Sequence, residues 1–109
     1  RVLRLPVREV LYLKAEQKYV TLRTAEHSYV LDDALSDLEL RLGPGFVRVH
    51  RNALVAAQAI RALELRAGSA EGESSADSEG WAVRVAPLDE WLAVSRRQLP
   101  AVRAILQSA

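Results

Sequence analysis

The sequence predicts a mainly β fold of short antiparallel sheets with one or two short helices. Most of its apolar runs are short and alternate with polar residues, as in residues 19–24 and 81–86, which is typical of half-buried strands. Only two segments show the three- and four-residue spacing of a helix face. Their apolar positions are Leu31, Leu35, Leu38 and Leu42 in the first, and Leu99, Val102, Ile105 and Leu106 in the second.

The composition is that of one folded domain. The chain has 109 residues, half of them hydrophobic, which is enough for one modest core. No apolar run approaches the roughly 20 residues that a membrane span needs. The absence of cysteine excludes disulfides and thiolate metal sites and favours a cytoplasmic origin. Because the sequence does not begin with Met, we expect it to be part of a longer protein.

The first half of the chain predicts four strands and a helix. The strands are the apolar or alternating runs at residues 1–5, 9–15, 19–24 and 29–31. The polar break at residues 16–18 is short, so we expect a hairpin with Lys18 and Tyr19 at or beside its tip. Asp32 or Asp33 is expected to cap the helix that follows, and the Gly-Pro-Gly sequence at residues 43–45 to end it.

The second half predicts further strands and a final helix. The strands are expected at residues 46–49, 53–55, 60–65, 81–86 and 91–94. Residues 66–80 are small and polar without periodicity, which predicts a flexible loop between two strands. Pro100 suits an early helical position, so the last helix is expected to begin near Gln98 and to leave residues 95–97 in a loop.

The net charge of +1 hides an asymmetry along the chain. Residues 67–80 contain four acidic residues and no lysine or arginine. The rest of the chain keeps all 15 basic residues against 10 acidic ones (14 minus 4), a surplus of +5. A surplus of this size favours a polyanionic partner.

Catalytic and metal-binding patterns are poorly represented. There are two histidines, His27 and His50, and none of the common motifs for nucleophilic catalysis, phosphate binding or zinc binding. The Asp32–Asp33 pair is better explained by helix capping than by acid–base chemistry. His50 is more simply a hydrogen-bonded structural histidine than a general base, because no nucleophile lies near it in sequence. We therefore predict no enzymatic activity, no metal site and no cofactor.

The basic residues lie where strands are predicted to end. Three separate loops each carry a cation beside a group that can contact bases or phosphates. These residues are Lys18 and Tyr19 in the first loop, Arg48, Arg51 and Asn52 at the second, and Ser95, Arg96 and Arg97 in the third. Taken alone, residues 46–55 also fit an ordinary turn with an exposed arginine. DNA binding is the favoured interpretation, and a protein-interaction or small-ligand module using the same loops is the alternative.

Three motifs in order resemble the LytTR-type DNA-binding domain, the output domain of many bacterial two-component response regulators. They are Val10 to Leu22, Phe46 to Val55 (the run FVRVHRNALV), and Val94 to Arg97. Within the family, residues 18–23 and 50–55 are most similar to the AlgR-like regulators of alginate synthesis. The resemblance covers nearly the whole chain. It departs at residues 66–80, which are longer and more acidic than the family pattern.

The resemblance implies an elongated β fold that places loops, rather than a helix, in successive major grooves. By motif, the base-reading positions are Lys18, Tyr19, Arg51, Asn52 and Arg97. The positions that hold phosphates are Arg48, Ser95 and Arg96. It further implies double-stranded DNA as the partner, direct repeats bound by a pair of domains, and a receiver domain N-terminal to this single domain of residues 1–109.

Overall fold

The computed structural model describes residues 4–67 and 79–107. Within these ranges the strands are β1 (Tyr12–Glu16), β2 (Tyr19–Arg23), β3 (Ser28–Leu31), β4 (Phe46–His50), β5 (Ala53–Ala56), β6 (Ile60–Ala67), β7 (Glu79–Val85) and β8 (Glu90–Ala93). The α-helices are α1 (Leu35–Leu42) and α2 (Leu99–Gln107), and 3₁₀ turns cover Val7–Glu9, Ala57–Ala59 and Arg96–Gln98. The predicted mainly β fold with short helices is confirmed. None of the helices in these ranges has the length and apolar character of a membrane span.

The strands form two antiparallel sheets. The larger sheet has five strands in the order β3-β2-β1-β5-β4, and the smaller has three in the order β6-β7-β8. Gln17 and Lys18 connect β1 to β2, and Glu16 lies opposite Tyr19, so the predicted hairpin is confirmed. β1 is the middle strand and pairs with both β2 and β5.

One face of the five-stranded sheet packs against α1. Leu35 and Leu38 of α1 are buried against Leu13 of β1 and Leu54 of β5. Leu42 is partly buried against the same cluster, so the predicted helix face is confirmed from Leu35 to Leu42. Leu31 also packs there, but it belongs to β3, and its predicted place on the helix face was wrong. α1 ends at Leu42 as predicted, because Gly43 adopts a φ of 83° that residues with a Cβ rarely accept.

The opposite face of the sheet packs against the smaller sheet and α2. This core contains alternate residues of the large sheet, such as Val49 and Val55, together with Val83 of β7 and Val102 of α2. All four residues of β5 are buried, because this strand lies between the two apolar layers. The start of β5 is therefore held from both sides.

The N-terminal predictions were partly wrong. Arg4 and Leu5 form no strand, and residues 1–3 lie outside the described part of the chain. Pro6 instead begins the first 3₁₀ turn, in which the Glu9 N–H donates to the Pro6 carbonyl at 3.0 Å. Residues 9–11 are consumed by this turn and its exit, so β1 begins at Tyr12 rather than at Glu9.

The predicted aspartate cap of α1 was also wrong. The N-cap residue is Ala34, which makes no side-chain capping bond, and its carbonyl accepts from the Leu38 N–H at 3.1 Å. Asp33 lies one residue too early and accepts a hydrogen bond from Arg41 Nη2 at 2.8 Å. A long-range partner on the helix therefore replaces the local cap.

Two boundaries in the second half differ from prediction. β6 extends to Ala67 and β7 starts at Glu79, with Arg66 opposite Gly80, so the ends of the predicted 66–80 loop are paired strand. Backbone pairing continues there because it does not depend on apolar side chains. The predicted mobility of the centre of this segment, residues 68–78, lies outside the described residues. The expected loop before the last helix is the 3₁₀ turn Arg96–Gln98, and α2 starts at Leu99.

Candidate nucleic-acid interface

The three loops singled out from the sequence lie at one end of the five-stranded sheet. β1 and β5 are antiparallel, with Lys14 opposite Ala53, so the end of β1 coincides with the start of β5. The Ala15 N–H donates to the Asn52 carbonyl at 2.8 Å, and the Ser95 N–H donates to the Val49 carbonyl at 2.9 Å. The loops thus lie in the order of the strands: the β1–β2 tip, the β4–β5 turn, and then the segment at Ser95 beside β4. With neighbouring strands about 4.8 Å apart, these loops form a row roughly 20 Å long.

The turn between β4 and β5 exposes Arg51 and Asn52, and its backbone is held on several sides. The Asn52 N–H donates to His50 Nδ1 at 3.2 Å, while the Arg51 carbonyl accepts from Arg48 Nη1 at 2.8 Å. The Asn52 carbonyl accepts from Ala15 of β1. His50 is therefore hydrogen-bonded within the turn, as the sequence predicted.

Arg48 lies beneath this turn and contacts helix α1. Its side chain is 22% exposed, and its Nε and Nη2 atoms donate to Glu39 Oε1 at 3.2 and 2.7 Å. The predicted phosphate contact of Arg48 stays a prediction. Sequence reasoning missed Glu39, because the loop at residues 43–45 separates it from Arg48 and no spacing pattern connects the two residues.

The hairpin tip is held mainly by its own backbone. Gln17 adopts a φ of 51°, in the left-handed region, and Lys18 beside it is exposed. Tyr19 is 52% exposed. Val20 is buried in the cluster under α1, and strand residues alternate in direction, so Tyr19 points to the sheet face away from that helix.

The third segment projects two arginines from a buried base. Ser95 is 6% exposed, and its carbonyl accepts from the Gln98 N–H at 3.0 Å. Arg96 and Arg97 are exposed on the 3₁₀ turn, directly before the buried Leu99 of α2. The structure thus presents Arg96 and Arg97 at the same end as the turn after β4, while the Ser95 side chain is largely covered.

A hydrogen-bonded tyrosine connects the two sheets. Tyr12 of β1 donates through its hydroxyl to Glu90 Oε1 of β8 at 2.7 Å. Burial and then the Glu90 carboxylate raise the pKa of Tyr12 to about 12. Arg23 Nε lies 3.9 Å from Glu90 Oε2. The segment with Arg97 follows β8, so this contact helps to place it relative to the other two loops.

The exposed groups at this end can contact a polyanion. Lys18, Arg51, Arg96 and Arg97 supply cations, and Asn52 supplies an amide donor and acceptor. Within residues 4–67 and 79–107, no group of three or more histidine, aspartate or glutamate side chains could hold a metal ion. The arrangement is suited to phosphates and base edges.

Comparison with known proteins identifies similar sequences and a similar fold. The family model of the LytTr DNA-binding domain matches residues 1–107. Over 60 residues the chain is 48% identical to the positive alginate biosynthesis regulatory protein of Pseudomonas aeruginosa. That match covers 55% of this chain and 24% of the relative's length.

A solved structure shares the fold. The LytTr DNA-binding domain of a putative methyl-accepting/DNA response regulator from Bacillus cereus superposes with a TM-score of 0.68. It is 21% identical, and the match covers 94% of this chain and 84% of that chain. At this identity the likeness shows the fold alone, and it agrees with the two antiparallel sheets described above.

Proposed function

The chain belongs to the LytTr DNA-binding domain family, and from this membership we propose that it binds double-stranded DNA sequence-specifically through loops in the major groove. In this proposal residues 1–109 are a single output domain of a bacterial two-component response regulator, and binding regulates transcription. The observation that carries the proposal is the convergence of three cation-bearing loops at one end of the five-stranded sheet.

The row is longer than one major groove is wide. A major groove is about 12 Å wide, and the row of loop backbones is roughly 20 Å long before side chains are added. Lys18 lies towards one end of the row and Arg97 at the other. A duplex laid along this row meets the loops in succession, and no helix of the described residues needs to enter a groove.

The proposed base-reading residues offer donors and acceptors at exposed positions. Arginine forms bidentate hydrogen bonds with guanine and asparagine does so with adenine, which suits Arg51, Arg97 and Asn52. Lys18 and Tyr19 of the hairpin tip complete the proposed set.

The proposed phosphate contacts differ in accessibility. Arg96 is exposed, whereas Arg48 is 22% exposed and uses three of its five N–H groups within the protein. Its two remaining N–H groups are available to a phosphate. Ser95 is 6% exposed, and its proposed phosphate contact requires the duplex to approach the segment closely.

The cellular setting is proposed from the relative. The alginate biosynthesis regulatory protein is a positive regulator by name, and this chain matches 24% of its length. We infer that the domain acts in the cytoplasm with an N-terminal receiver domain, and that two copies bind direct repeats.

The proposal is tested by selecting binding sites from random duplex DNA. An enriched motif is expected, and absence of enrichment at low salt would instead favour a protein-interaction or small-ligand module. With four to six cations at phosphates, the affinity should fall with salt at a log–log slope of about −0.9 per contact. A flat salt response would contradict DNA binding, since released counterions produce this dependence.

A further inference from the structure

Glu39 of α1 is an acidic residue that contacts Arg48 at the proposed DNA-binding end. An exposed carboxylate at such a surface repels phosphates and lowers the affinity for every duplex. Glu39 Oε1 accepts two hydrogen bonds from Arg48, with Nε at 3.2 Å and Nη2 at 2.7 Å. The two side chains are 40% and 22% exposed, so solvent screens this pair only in part.

The guanidinium of Arg48 also contacts the turn between β4 and β5. Arg48 Nη1 donates to the Arg51 carbonyl at 2.8 Å, so the contacts run from Glu39 through Arg48 to the backbone of the turn. The position of α1 is fixed, because Leu35 and Leu38, about one helical turn apart, are buried in the core. The guanidinium is planar, so a carboxylate that holds two of its nitrogens also sets the direction of the third.

This contact acts where the backbone is irregular. The pairing of β4 with β5 shifts register between Arg48 and His50, so a bulge lies directly before the pair of His50 with Ala53 that closes the turn. The Arg51 carbonyl belongs to the peptide bond that precedes Asn52. The N–H of the same peptide donates to His50 Nδ1, so Arg48 and His50 hold its two ends. Together they fix the peptide plane, and with it the directions in which Arg51 and Asn52 leave the backbone.

We propose that Glu39 is a positioning residue for base recognition: through Arg48 it holds the peptide between Arg51 and Asn52 in the orientation that reads the preferred DNA sequence. The inference rests on the proposed DNA-binding function. It predicts that an acid at a DNA-binding surface raises specific affinity, which is the opposite of its electrostatic effect.

The test compares Glu39→Ala with Asp37→Ala in equilibrium titrations on the selected duplex and on a scrambled one. Asp37 is exposed on the same helix, and its side chain makes no hydrogen bond or ion pair with the described residues. Its replacement therefore removes the same charge and leaves Arg48 in place. Asp37→Ala should leave both affinities equal or slightly raised. Glu39→Ala should weaken binding to the selected duplex about three- to tenfold without weakening binding to the scrambled one.

A third variant separates charge from geometry. Glu39→Gln has the same net charge as Glu39→Ala but keeps an acceptor oxygen for Arg48, so it should recover part of the lost specific affinity. In the free protein, hydrogen exchange at the backbone amide of Asn52 should be faster in Glu39→Ala than in Asp37→Ala. This readout needs no DNA, and a general loss of stability would accelerate exchange throughout the sheet as well.

The outcomes distinguish the inference from its premise. If wild-type protein shows no preference for any selected duplex, the proposed function itself fails. If wild type discriminates but Glu39→Ala behaves like Asp37→Ala on both duplexes, the function stands and the positioning role is refuted. Unchanged exchange at Asn52 in Glu39→Ala would equally refute it.

Discussion

The β4–β5 turn and the β1–β2 hairpin tip lie side by side but are held in different ways. The Arg51 carbonyl accepts a hydrogen bond from the Arg48 guanidinium, and the Asn52 carbonyl accepts one from the Ala15 N–H. The tip is closed by the pairing of Glu16 with Tyr19, and among the described residues the Lys18 side chain makes no hydrogen bond or ion pair. Among the described residues, the backbone of the turn is thus held by neighbouring side chains and strands, whereas the backbone of the tip is held within its own hairpin. Base reading by bidentate contacts requires fixed geometry, whereas a lysine on a flexible stem tolerates several positions.

The largest expected effect is a loss of stability when β5, which supports both loops, is altered. Leu54 of β5 is fully buried, opposite Leu13 of β1. Leu54→Ala should lower the free energy of unfolding by about 2–5 kcal/mol, because it leaves a cavity beneath both loops. Urea denaturation measures this change. Leu40, which is 83% exposed on α1, is the control, and Leu40→Ala should stay within about 0.5 kcal/mol of wild type. Equal losses in the two variants would show that β5 is not the common support.

The next prediction sets the fixed turn against the tip directly. Arg51→Ala and Arg97→Ala should each weaken binding to the selected duplex by about 1–3 kcal/mol while barely changing binding to a scrambled one. Lys18→Ala should cost less on the selected duplex, because an ammonium is a point charge on a flexible stem and lacks the planar fork of arginine. Arg96→Ala should weaken both duplexes alike and reduce the salt slope by about one unit. Titrations at several salt concentrations decide, and equal losses on both duplexes for Arg51→Ala would end its assignment as a base reader.

A smaller loss of stability is expected when the hydrogen bond between the two sheets, from Tyr12 to Glu90, is removed. Tyr12→Phe removes the hydroxyl that donates to Glu90 and should lower the free energy of unfolding by about 1 kcal/mol at neutral pH. Burial and Glu90 raise the pKa of Tyr12 from 10.0 in the unfolded chain to about 12 in the folded protein. The stabilisation is therefore fully present below pH 10 and is lost as the pH rises towards 12.

Denaturation of wild type and Tyr12→Phe from pH 8 to pH 12 checks this sign. The stability difference between the two proteins should be constant up to about pH 10 and then narrow. Comparing the two proteins cancels the titration of lysines and arginines in the same range. A difference that stays constant to pH 12 would mean that the Tyr12–Glu90 bond does not contribute as described.

The smallest effect concerns the backbone of the hairpin tip. Gln17 has a φ of 51°, a conformation that costs a residue with a Cβ about 1 kcal/mol. Glycine avoids this cost, but it loses more conformational entropy on folding. Gln17→Gly should therefore raise the free energy of unfolding by about 0.5 kcal/mol. Lys18→Gly, at the neighbouring position without a positive φ, should lower it by a similar amount. If both variants are destabilised, the left-handed turn is not the conformation of the tip in solution.

Several elements could be predicted because their signals are local. Alternation in residues 19–24 predicted β2, the spacing of Leu35 and Leu38 predicted the buried face of α1, and Gly43 predicted where that helix ends. In each case the preference depends on backbone geometry and neighbours within one or two turns. The local signals failed where a residue elsewhere in the chain offered another partner. The Asp33 carboxylate was predicted to cap α1, but it accepts a hydrogen bond from Arg41 instead.

The sequence by itself determined the side chains available for the proposed contact with DNA: the cations and amides beside three strand ends, in an order that resembles the LytTR pattern. Only the tertiary structure decided how they are presented. It brought residues 17–19, 50–52 and 95–97 to one end of the sheet, covered Ser95, and set Glu39 against Arg48. The reason is that chain composition and periodicity act between neighbours, whereas strand order and helix packing bring together side chains that no spacing rule connects.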